Sequence, residues 1–159
     1  MIANASPLIF LSKVEGLEWL VSMTQYPVLI PQAVILELEA GRGGMDLIND
    51  LQKNPKFSIV PNIPLPKEVA AWDLGSGESQ VLSQCWEKPQ KSCAILDDLA
   101  ARKCAKGVGS RVLGTLGIVI IAKKKGLIPL VRPVIELLQS QGMFLSKDLI
   151  QSIIHDAEE

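Results

Sequence analysis

Four acidic side chains stand where a chain of this kind would normally place hydrophobic residues or helix caps. In the helical stretch opened by Ser76-Gly77-Glu78, the apolar residues Val81, Leu82 and Cys85 follow Glu78 at +3, +4 and +7. Glu78 therefore continues an apolar stripe. In the stretch after Pro31, Val34 and Leu38 flank Glu37 at −3 and +1. Glu39 lies on the neighbouring face, and periodicity alone does not choose between the two glutamates. A carboxylate on a core-facing stripe is costly unless something pairs with it, and a cation in a shared cleft would do so. Asp97 and Asp98 follow the apolar run Ala94–Leu96, Asn4 follows the first such run, and Thr115 comes after the last one and Gly114. An oxygen-rich set of this type suits a hard divalent ion, Mg²⁺ or Mn²⁺. Such an ion can activate a bound water and neutralise charge on a phosphodiester. Each residue also has a plain structural role open to it. Asp97, Asp98 and Thr115 are good helix caps, and Glu78 near a helix start gains from the dipole.

These residues share one location only if the right elements position them. Short apolar runs, Met1–Ala3, Val28–Ile30, Phe57–Val60, Ala94–Leu96 and Val112–Leu113, alternate with longer helix-period stretches. Each run is continuous rather than alternating, as in strands buried on both faces of a parallel sheet. Ser6 is expected to cap a first helix, with Pro7 at its first position. Pro31 opens a second helix, which Gly41 closes. Further helices are expected over Asp46–Lys53, Lys67–Asp73 and from Ser76 to about Trp86. Asp97 or Asp98 caps the next, to about Lys106. Thr115 starts another that stops at Gly126, Pro133 lies in the first turns of one ending near Gly142, and Ser146 caps a last one to about Asp156. The resulting order predicts an α/β fold: a three-layer α/β/α sandwich around a small parallel sheet of about five strands. Active sites in such sheets form beyond the carboxyl ends of the strands, where Asn4, Asp97 and Thr115 fall. The four prolines of 54–66 mark the most loop-rich segment. No domain boundary is expected there, so 1–159 reads as one domain.

Composition narrows the class. Apolar residues make up 48% of the chain and aromatics 4%, so the core must be aliphatic. Sixteen basic against 17 acidic residues leave a net charge of −1, without the basic excess usual in nucleic-acid binders. The cysteines, Cys85, Cys93 and Cys104, are odd in number and fit no metal spacing, as expected of free thiols in a reducing compartment. The longest apolar stretch, Val112 to Ala122, is about half the length that a membrane span of roughly twenty residues needs. The start has no basic leader, and a cytoplasmic location is expected. The single histidine, His155, has no nucleophilic or acidic partner in sequence and reads as a surface residue. No GxSxG, P-loop or GxGxxG motif occurs.

Five segments in order resemble the PIN-domain family of metal-dependent ribonucleases, and most closely its small standalone prokaryotic members, many thought to be toxins of toxin–antitoxin pairs. They are Asn4-Ala5-Ser6-Pro7-Leu8-Ile9, Ile30-Pro31-Gln32-Ala33-Val34 leading to Glu37, Gly75-Ser76-Gly77-Glu78, Ile95-Leu96-Asp97-Asp98 with Ala101-Arg102, and Gly114-Thr115-Leu116-Gly117 with Ala122-Lys123 and Gly126-Leu127-Ile128. The resemblance covers nearly the whole chain. It implies Glu37, Glu78 and Asp97 as catalytic and metal-binding acids, Asp98 as a neighbouring acidic position, and Ser6 and Thr115 as small hydroxyl residues near the metal. Asn4 departs from the family pattern, which usually has Asp at the end of the first strand. An amide can offer its carbonyl oxygen to Mg²⁺, but it adds no charge and cannot take a proton from water.

The resemblance implies an RNA substrate, an antitoxin partner and Mg²⁺ or Mn²⁺ as cofactor. Cations to meet RNA phosphates are available in Arg102, Lys106 and Lys123–Lys125, although lysines also suit a helix C-terminus for their own sake. A homodimer is expected from the Leu/Ile-rich stretch Val134-Ile135-Glu136-Leu137-Leu138 and from how the family behaves. The alternative expectation is a catalytically silent PIN-like binding module, because of Asn4.

Overall fold

A computed structural model describes residues 1–159. Five short strands form one sheet: β1 (Ile2–Ala3), β2 (Val28–Pro31), β3 (Phe57–Val60), β4 (Cys93–Ile95) and β5 (Arg111–Leu113). Every pairing is parallel and the order is β3-β2-β1-β4-β5. Each strand lies within a residue or so of its predicted run. Ile2, Ala3, Val28, Ile30, Ala94 and Ile95 are all buried, which explains why these runs carry no polar alternation.

Ten helices link and flank the strands: α1 (Ala5–Lys13), α2 (Leu17–Val21), α3 (Gln32–Ala40), α4 (Gly44–Lys53), α5 (Lys67–Ala70), α6 (Ser76–Trp86), α7 (Leu99–Gly107), α8 (Thr115–Lys124), α9 (Arg132–Ser140) and α10 (Lys147–Asp156). The architecture is the expected α/β sandwich. Chain order runs outward from β1 through β2 to β3, then returns to the other side of β1 for β4 and β5. The direction reverses between β1 and β4, which is where open parallel sheets form a crevice. Pairing of Ala3 with Ile95, and of Ile95 with Leu113, ends these three strands at one level. The residues that follow, Asn4, Leu96-Asp97 and Gly114-Thr115, therefore emerge side by side.

Three features of the helices differ from the sequence reading. The first helix begins at Ala5, with Asn4 rather than Ser6 in the capping position. The side chain of Asn4 makes no cap bond, because its amide is engaged elsewhere. The five-residue α2 was not expected, since Gly16 supplies no cap signal and five residues are too few for periodicity to show. The Lys67 helix is also shorter than expected. It ends at Ala70, and Asp73 takes a left-handed φ of 50°. At the other predicted caps, Asp98 accepts from the Ala101 amide and Ser146 from the Leu149 amide.

The core has two parts. The larger surrounds the sheet and includes Leu8, Leu11, Ile30, Val34, Leu38, Leu82 and Ile95. The smaller joins α8, α9 and α10 through Val119, Ala122, Ile135, Leu138, Ile153 and Ile154. It absorbs Ile135 and Leu138 of the C-terminal apolar stretch within this chain and leaves Leu137 exposed. No helix is long and apolar enough to cross a membrane.

Candidate metal centre

Asn4 leaves β1 directly into the crevice and is 2% exposed. Its Nδ2 donates to Oε1 of Glu78 at 2.8 Å, across 74 residues of chain. This bond orients the amide, since the reverse orientation would set a carbonyl oxygen against the carboxylate. Oδ1 of Asn4 thus points the other way, buried and without a hydrogen-bond donor. Glu37, half-buried on α3, approaches from the β2 side. Its Oε1 accepts from the Gly77 backbone N–H at 2.7 Å. That donor belongs to the first turn of α6, whose capping position is Gly75 and has no side chain to offer. Glu37 therefore caps α6 from a distant part of the chain, and its charge meets the positive end of that helix. This choice answers what periodicity left open: Glu37 faces the crevice and Glu39 is exposed.

Asp97 follows β4 and is treated the same way by α8. Its Oδ1 accepts from the Thr115 N–H at 2.8 Å and its Oδ2 from the Thr115 hydroxyl at 2.7 Å. The α8 capping position is again a glycine, Gly114. Ser6 Oγ lies 3.5 Å from the same Oδ2. Arg102, one turn into α7, donates from Nη1 to the Leu96 carbonyl at 3.1 Å and so keeps its guanidinium at the strand ends. Asp97 and Arg102 also line a cleft of about 480 Å³ that continues along α8 to Leu149 and Asp156 of α10.

Two sequence candidates are not brought to this edge. Asp98 is exposed and serves as the cap of α7. The strand exit turns only the first of the two aspartates toward Thr115. Lys123 stands at the far end of α8 from Thr115. Its ammonium is held by the Pro129 carbonyl and lies 3.5 Å from Glu159. His155 is exposed, as expected, and lines a separate cavity of about 410 Å³ with Arg132 and Lys147 that shares no residue with the acidic edge.

Two glycines matter here that the carboxylate pattern did not single out. A Cβ on Gly77 would stand 2.5 Å from Oε2 of Glu37 and 2.6 Å from Oδ1 of Asn4. A Cβ on Gly114 would stand 2.5 Å from Nη1 of Arg102 and 3.0 Å from Oδ1 of Asp97. The available signal was a glycine one residue before each helical site residue, Glu78 and Thr115.

Neither of the two salt bridges in the molecule, Lys56–Glu18 and Lys123–Glu159, involves a carboxylate of this edge. No three His, Cys, Asp or Glu side chains gather into a group able to hold a metal ion. The donor set that fits a hard cation is instead two carboxylates and an amide. Glu37 and Glu78 lack a counter-cation, and Oδ1 of Asn4 is a buried acceptor with nothing to accept. Mg²⁺ is commonly bound through one or two carboxylates and otherwise keeps its waters, so a set of this size fits it.

An α/β sandwich with acids at the switch point of a parallel sheet is the class that fold and site define. A family model described as a PIN domain matches residues 1–159. The chain belongs to the PIN-domain family, and its fold is of nuclease type. Comparison with curated proteins and with solved structures returned no match.

Proposed function

We propose that this protein is a Mg²⁺- or Mn²⁺-dependent endoribonuclease of the PIN type, hydrolysing RNA phosphodiesters. The observation that carries the reading is the buried, donor-free Oδ1 of Asn4 beside the carboxylates of Glu37 and Glu78, neither of which is in a salt bridge. In this reading Glu37, Glu78 and Asn4 hold the cation. When bound, the ion would neutralise phosphodiester charge and make a bound water a better nucleophile. Asp97, fixed by Thr115 and neighboured by Ser6, takes the proton from the water that attacks phosphorus. The P–O bond to the leaving ribose oxygen breaks, and that oxygen takes a proton from solvent. Arg102 meets substrate phosphate at the strand ends. Asp98 and Lys123 are left out of this scheme. Membership of the family extends the proposal to a cytoplasmic protein that works as a homodimer and as the toxin partner of a small antitoxin. The test is incubation of structured and single-stranded RNAs with Mn²⁺ and the wild-type protein, beside Glu78→Gln and Asp97→Asn. Cleavage confined to the wild type is expected. Equal products from all three proteins would sink the proposal.

A second reading is a catalytically silent PIN-like binding module. It is favoured by the missing charge at Asn4 and by the lack of any three-acid group. Calorimetry separates the two. Stoichiometric Mn²⁺ binding that disappears in Glu78→Gln counts against the silent module.

A further inference from the structure

We infer that Asn4 is a positioning residue: it holds Glu78 ready before any cation arrives and leaves the site one negative charge short, exchanging cation affinity for a stable cation-free pocket. This rests on the reading of the acidic edge as a divalent-cation centre.

Three observations support it. The Asn4 backbone sits in the capping position of α1 with extended angles, yet its side chain makes no local cap bond. Asparagine there is normally spent on capping, so this amide has been diverted. Its Nδ2–H reaches Glu78 at 2.8 Å, a bond to a charged acceptor and stronger than a neutral one. Its Oδ1 is left buried and unpartnered on the side of Glu37. An unpartnered buried acceptor is normally avoided. One amide thus performs two tasks, donating to one carboxylate and presenting an oxygen next to another.

Aspartate in this place would still present an oxygen but could not donate to Glu78. It has no N–H for Glu78, so two carboxylate oxygens would face each other where the 2.8 Å bond now lies. Like charges at that distance repel, and more so at a part-buried site than in bulk water. With a divalent ion present the sign reverses. An added anionic ligand raises affinity, because affinity for hard cations follows the number of charged ligands.

The experiment compares the wild type with Asn4→Asp and Glu78→Gln by thermal unfolding in EDTA and by Mn²⁺ calorimetry. Asn4→Asp is expected to lower Tm in EDTA and to bind Mn²⁺ about tenfold more tightly or better, the range over which ligand-shell changes act. Saturating Mn²⁺ then restores its Tm. Glu78→Gln keeps an oxygen for the Asn4 N–H, so its Tm in EDTA stays near wild type while Mn²⁺ affinity falls. An Asn4→Asp protein with unchanged Tm in EDTA, or with unchanged Mn²⁺ affinity, overturns the inference but leaves the divalent reading standing. No Mn²⁺ binding by either wild type or Asn4→Asp overturns the divalent reading itself. Should Asn4→Asp fold under neither condition, Glu78→Gln decides: a large fall of its Tm in EDTA overturns the inference.

Discussion

Thr115 grips Asp97 twice, through its backbone N–H to Oδ1 at 2.8 Å and through its hydroxyl to Oδ2 at 2.7 Å. Both oxygens of one carboxylate are thereby tied to a single residue that is itself fully buried. The grip fixes the plane of the Asp97 carboxylate and satisfies the first turn of α8.

Thr115→Val removes the hydroxyl but leaves the backbone bond and nearly the same shape. A hydrogen bond to a charged group contributes about 1.5–3 kcal/mol, and the substitution would also leave Oδ2 of Asp97 with the more distant Ser6 alone. Thr115→Val is expected to lose about 2 kcal/mol in urea unfolding, whereas Thr115→Ser keeps most of the stability. A loss for Thr115→Ser as large as that for Thr115→Val would show that the hydroxyl bond to Asp97 does not dominate and that the buried methyl contributes as much.

Gly77 offers a prediction whose sign runs against helix propensity. Alanine is ordinarily about 1 kcal/mol better than glycine inside a helix. At Gly77 the added Cβ would collide with Oε2 of Glu37 and Oδ1 of Asn4, at 2.5 and 2.6 Å. Gly77→Ala is therefore expected to destabilise by about 1–3 kcal/mol and to weaken Mn²⁺ binding. Gly107, the last residue of α7, supplies the control. Its nearest contact for a Cβ is Trp72 at an ordinary 3.7 Å, so Gly107→Ala should be neutral or slightly stabilising. Chemical denaturation of the two variants side by side checks both statements.

Cys85 predicts a loss of stability in alkali. It is fully buried on α6, and burial pushes its thiol up to about 12 from an ordinary 9.0. Burial also raises the half-buried Cys93. The folded state keeps Cys85 neutral while the unfolded chain ionises it near pH 9. The stabilisation is thus complete below about pH 9 and is lost as pH rises toward about 12. Between about pH 8 and about pH 10.5, on either side of the unfolded thiol's titration, the urea midpoint should fall further for the wild type than for Cys85→Ala. At the lower pH the folded protein should also protect Cys85 from iodoacetamide until it is denatured.

How much of this was legible beforehand varied with the range of the interaction. Strands were readable because burial on both faces leaves an unbroken apolar run, as in Val28–Pro31 and Ala94–Ile95. Ser146 and Asp98 were readable as caps because capping is local. Asn4 and Ser6 also have the chemistry of caps, but their side chains turn to Glu78 and Asp97, 74 and 91 residues away. A local rule failed at those two positions because a distant partner competed for the same atoms. Glu37 and Glu78 announced themselves by interrupting apolar stripes. The division of the acids into Asn4–Glu78–Glu37 and Asp97–Thr115 did not, because it depends on which helix start each carboxylate caps. The exclusion of Asp98 depends on the turn out of β4, and that of Lys123 on Pro129 and Glu159, which lie beyond its own helix.

The placement of β1 in the middle of the sheet, with β4 and β5 added last, has a consequence for biosynthesis. The first site residue leaves the ribosome at position 4, but its partner carboxylate arrives at 78, and the residue that fixes Asp97 at 115. The Asn4–Glu37–Glu78 group lacks a member until about half of the chain has been made, and the Asp97–Thr115 pair follows later still. Assembly of the edge thus waits on the second half of the chain, although its first residue is among the earliest made.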